Sequence, residues 1–72
     1  MRRAILEALR ARYEAEIAEA DATANIYLEN SVGIGEHPQH IEEVDKQIEK
    51  IANAKEKLEV LDEFEPAKAT AL

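Results

Sequence analysis

An all-α fold, a two-helix antiparallel hairpin assembling into a four-helix bundle or a larger helical oligomer, is what this sequence predicts, on three observations. Positions 2–30 contain neither Pro nor Gly and are dominated by Ala, Leu, Glu and Arg, the residues a long helix favours. Both glycines and the first proline fall within 33–38, a break that ends one helix and begins another. On either side of the break, apolar residues recur in steps of three and four, the period of a helix with a buried stripe.

The first helix, about 2–30, carries two such stripes. Leu6, Leu9, Tyr13, Ile17, Ala20, Ala24 and Tyr27 form one, with the large side chains a core needs. Ala4, Ala8, Ala11, Ala15, Ala18 and Ala22 form the other, and at about 100° per residue it lies roughly opposite the first. Charged residues fill the flanks, Glu7, Arg10, Glu14 and Asp21 on one side and Arg12, Glu16 and Glu19 on the other. An unbroken alanine row lets a second helix axis come close, so these six residues are the expected oligomer interface. Alanine is also the best helix former and is used on exposed faces for that reason alone. Both readings fit the row.

The break runs through Asn30, Ser31, Val32, Gly33, Ile34, Gly35, Glu36 and His37, with the loop itself over 31–37. Hairpin loops are usually polar, so Val32 and Ile34 between the glycines are unusual. They are expected to fold over the open end of the bundle, with Gly33 or Gly35 supplying a positive-φ turn, or to meet a partner there. Pro38 suits the first turn of a second helix, where its missing N–H costs little, and Glu42 and Glu43 sit near the positive end of that helix dipole.

The second helix, about 38–65, places Ile41, Val44, Ile48, Ile51, Leu58 and Leu61 on one stripe, interrupted near Ala54 and Lys55. The heptad spacing is good to Ile51 and then drifts, which suits a short bundle better than a long coiled coil. Pro66 ends the helix, and 66–72 reads as a flexible tail beyond a hairpin domain of 1–65. A connection of about seven residues makes the two helices antiparallel, each covering one stripe of the other. The alanine row then has no partner within the chain.

Composition excludes more than it selects. A chain of 72 residues buries a smaller fraction of its surface than a typical 150-residue domain, so its core is marginal without an addition. It has no cysteine, which removes disulfides and thiolate metal sites and leaves oligomerisation as the economical addition. Nine Lys and Arg against sixteen Asp and Glu give a net charge of −7, which repels a nucleic-acid backbone. Glu7 interrupts the apolar run after Arg3, so the start does not read as a signal peptide, and no stretch approaches the ~20 apolar residues of a membrane span. The expected setting is a cytoplasm.

Catalytic patterns are missing too. There is no phosphate-loop or nucleophile-elbow motif, and Ser31 has no base and acid set around it, so the reading is of a protein that is not an enzyme and takes no cofactor. His37, His40 and Glu43 are spaced by three, as helix-borne metal ligands are. Carboxylate-bridged di-iron bundles need Glu-x-x-His, however, and the residues three before these histidines are Ile34 and His37. No metal site is expected.

From Tyr27 to Leu61, the run Val32-Gly33-Ile34-Gly35-Glu36-His37-Pro38, followed by Ile41-Glu42-Glu43-Val44-Asp45 and Lys55-Glu56-Lys57-Leu58, resembles small uncharacterised helical proteins of T4-like marine bacteriophages, cyanophages among them. The resemblance covers about half of the chain and implies an infected bacterial cytoplasm or a virion. It supplies no catalytic residues. Two expectations follow: a self-associating structural or assembly protein, or a small acidic regulatory protein that binds a basic or helix-accepting surface of a host or phage protein.

Overall fold

The computed structural model describes residues 1–30 and 39–65, and nearly all of them belong to two helices, α1, Arg2–Asn30, and α2, Gln39–Asp62. The protein is an all-α hairpin. Contacts between the helices run in opposite directions along the chain: Arg10 meets Asp62, Tyr13 meets Lys57, and Tyr27 meets His40. Val32, Ile34, both glycines, His37 and Pro38 lie outside the described residues, as does the tail 66–72. The molecule is a rod of 51 × 22 × 15 Å with a radius of gyration of 16.3 Å, where a compact domain of this length would have one near 11 Å.

The ends of α1 run against its own dipole. Its first turn holds no acid and its last turn no base, so Arg2 and Arg3 sit at the positive end and Glu29 at the negative one. Other contacts offset this at the N-terminus: Arg3 Nε donates to Glu7 at 3.1 Å, and Arg2 donates to the Phe64 carbonyl at 2.5 Å. The sequence places the end of the second helix near Glu65, whereas the α-helical ladder stops at Asp62. Glu63, Phe64 and Glu65 then donate to the carbonyls of Val60, Leu61 and Asp62, so the last turn tightens to i→i+3 bonds ahead of Pro66.

The stripe of α1 facing α2 is the one its spacing predicts. Leu6, Leu9, Tyr13, Ile17, Ala20, Ala24 and Tyr27 are buried or half-buried, joined by Arg10 and Thr23. Ala20 of α1 is 1% exposed and Ala54 of α2 is 0% exposed. The buried set is Ala20, Ala24, Ala54, Leu61 and the amide side chain of Gln47, and among the described residues no large side chain is fully buried. Small residues therefore let the backbones approach at the centre of the rod, while Leu6, Leu9, Tyr13 and Leu58 close its terminal end only partly.

On α2 the seam is rotated from the expected one. Ile41 and Ile48 are 78% and 56% exposed, while Gln47 and Ala54 are buried. Both possible seams share Val44, Ile51 and Leu58. The row through Ile41 and Ile48 continues, at intervals of seven, to Lys55 and Asp62, and burying it would trap two charges. The row through His40 and Gln47 continues to Ala54 and Leu61, and burying it encloses the Gln47 amide and one side of the His40 ring in place of a lysine and an aspartate. The second arrangement also leaves Asp62 at the margin, where Arg10 reaches it.

Candidate association surface

Turning the large stripe of α1 toward α2 turns the alanine row away from it. Ala4, Ala8, Ala11, Ala15, Ala18 and Ala22 are all exposed, in a line that covers ~27 Å of helix at 1.5 Å per residue. Their methyl groups form a smooth strip from which no side chain projects far, so another helix axis could lie close against it.

The flank that holds Arg12 and Glu19 also carries two isoleucines, Ile5 and Ile26, that the sequence reading left out. Ile5, Arg12, Glu19 and Ile26 recur every seven residues along one flank and all are exposed. Ile5 is 51% and Ile26 59% exposed, placing a branched aliphatic beside each end of the alanine row. The heptad spacing was visible in the sequence, but these residues belong to neither stripe by themselves. The other flank holds Glu7, Glu14 and Asp21.

Two open apolar grooves lie between the helices. One, of about 510 Å³, is lined at the terminal end of the rod by Leu9, Tyr13, Val60, Leu61 and Phe64, with Lys57 at its rim. There the Lys57 ammonium stands 5.4 Å from the centre of the Tyr13 ring, within cation–π range. The other, of about 370 Å³, lies at the loop end against Leu28, Ile41, Val44 and Ile48. Its wall includes Tyr27 and His40, whose rings meet edge to face at 5.5 Å.

The terminal end is clamped by charge. Arg10 Nη2 donates to Asp62 at 2.6 Å and also to Glu65. Hydrogen bonds to Asp62, then to Glu65, raise the Arg10 pKa above its already high ordinary value, so the guanidinium is cationic wherever the protein is folded. The clamp fixes the register of the two helices and leaves the alanine row untouched.

Among the described residues, no three His, Cys, Asp or Glu side chains come together as metal ligands do, and His40 packs against Tyr27 instead of facing Glu43 across a shared site. No helix of the described residues is long and apolar enough to cross a membrane. No protein-family model, no curated protein and no solved structure matches this chain. The exposed face of α1 is thus the feature that most needs a function.

Proposed function

We propose that this protein is a non-enzymatic, self-associating helical structural or assembly protein, with the exposed alanine row of α1 as its oligomer interface. The observation that carries the reading is the pairing of a thin core with a long apolar face pointing outward. Among the described residues only Ala20, Ala24, Ala54, Leu61 and Gln47 are buried, a thin core for a small scaffold that stands alone. The chain exposes 5781 Å², about 1,300 Å² more than a compact monomer of its mass, and a standard interface covers about 800 Å² on each partner. A second hairpin laid along α1 would make a four-helix bundle and remove that excess.

On the resemblance to small phage proteins, the setting we propose for this assembly is an infected bacterial cytoplasm or a virion. The net charge of −7 favours one rival, an acidic regulatory protein steered to a basic surface of a host or phage protein. Salt separates the two readings: capture on a basic partner weakens as salt rises, while copies of equal charge associate more readily once their repulsion is screened.

The test is light scattering on the wild type and on Ala11→Glu/Ala15→Glu. The expected result is an oligomeric mass that falls to that of one chain in the variant, with helical content retained. An unchanged mass overturns the reading.

A further inference from the structure

We infer that the partner on the alanine row of α1 is a second copy of this chain running antiparallel to the first, related by a twofold axis that sets Arg12 of each copy against Glu19 of the other and Ile5 against Ile26. This rests on the self-association proposed above and specifies its geometry.

The flank row carries the inference. Ile5, Arg12, Glu19 and Ile26 are exposed and spaced by seven, so they follow the alanine row along the whole contact. In two antiparallel helices, residues of one flank face the same flank of the partner. Reversed, this row reads as its own complement, with aliphatic opposite aliphatic and Arg opposite Glu. Neither Arg12 nor Glu19 makes an ion pair among the described residues, so each is available to one.

A parallel copy fits less well. There each flank faces the opposite flank of its partner, bringing Glu14 toward Glu19 and Asp21 toward Ile26, with Glu7 toward Arg12 as the one attractive pair. In the antiparallel copy Glu7, Glu14 and Asp21 of one chain face Asp21, Glu14 and Glu7 of the other, a repulsion at the exposed edge that salt screens. Only the antiparallel one gives both isoleucines an apolar neighbour. The charge along α1 points the same way. Its four arginines lie at or before Arg12, and every charged residue after Arg12 is acidic: Glu14, Glu16, Glu19, Asp21 and Glu29. These charges add to the macrodipole of the helix, and an antiparallel copy opposes both. An apolar helix from an unrelated protein would satisfy the alanines but not this reversed order.

The chain has no cysteine, so single cysteines report orientation without background. Ile5→Cys and Ile26→Cys proteins are mixed, treated with a short bismaleimide, and analysed beside the native mass of each. Cross-links from position 5 to position 26, in preference to 5 to 5 or 26 to 26, are expected. Links of 5 to 5 and 26 to 26 with the oligomeric mass intact overturn the antiparallel copy and leave self-association standing. A single-chain mass for the wild type overturns both.

A charge exchange gives a second reading at exposed positions. Arg12→Glu is expected to weaken association by about tenfold, and Arg12→Glu/Glu19→Arg to bring it back within about threefold of wild type, because the exchanged pair restores the attraction. A double variant as weak as Arg12→Glu overturns the pairing.

Discussion

The two long faces of α1 use the same small residue for different ends. Inward, Ala20 and Ala24 sit between Ile17 and Tyr27 in the core stripe, and α2 covers them almost completely. Outward, six alanines run without interruption and α2 covers none. What differs is the company each keeps. The inner alanines bring two backbones together while Leu6, Leu9, Tyr13 and Leu61 supply the area that holds them. The outer ones have only Ile5 and Ile26 at their edges, so that face supplies closeness of approach and must borrow area from its partner.

Substitution by charge breaks this comparison most sharply. Ala20→Asp places an unpaired carboxylate in the closest part of the seam and is expected to cost about 3 kcal/mol or more, lost as cooperative helical signal in urea. Ala15→Asp on the outer face should leave the helical signal in place and lower the mass instead. If both variants unfold alike, the faces are not distinct. Next in size is Leu61→Ala, which removes the largest apolar side chain of the buried set. It should cost about 2–3 kcal/mol, read from the thermal midpoint.

Smaller effects test finer parts of the seam. Lys57→Ala removes the cation over Tyr13 and should cost about 0.5 kcal/mol, with a change in tyrosine emission. Ile48→Ser should stay within about 0.5 kcal/mol, since that side chain is 56% exposed at the open rim of the loop-end groove. A loss of 2 kcal/mol or more there, on the scale of a core truncation, would return Ile48 to the core and undo the rotation of the α2 seam.

That rotation marks where the sequence stopped being legible. In α1 the large apolar residues other than Ile5, Ile26 and Leu28 fall on one side, so the core stripe could be read residue by residue from Leu6 to Tyr27. In α2 the apolar residues are spread over two overlapping rows that share Val44, Ile51 and Leu58. Isoleucine at 41 and 48 made one row look more apolar locally. The deciding residues, Lys55 and Asp62, lie further along the same row, where their burial would cost more than that of Gln47. The Arg10 contacts with Asp62 and Glu65 were not readable either, because they depend on which turn of α1 meets the last turn of α2. The border formed by Ile5, Arg12, Glu19 and Ile26 gains meaning only once the alanine row is known to face away from α2.

The central claim is that the outward alanine row is covered when the protein is in its working state. Alanine methyl groups labelled for NMR, with a soluble paramagnetic probe added, report that face directly. At a concentration where the protein is associated, Ala11, Ala15 and Ala18 should be as protected as Ala20, Ala24 and Ala54, and exposed Ala52 on α2 should be broadened. If Ala11, Ala15 and Ala18 broaden as Ala52 does, the row is only a solvated helix surface and the account fails.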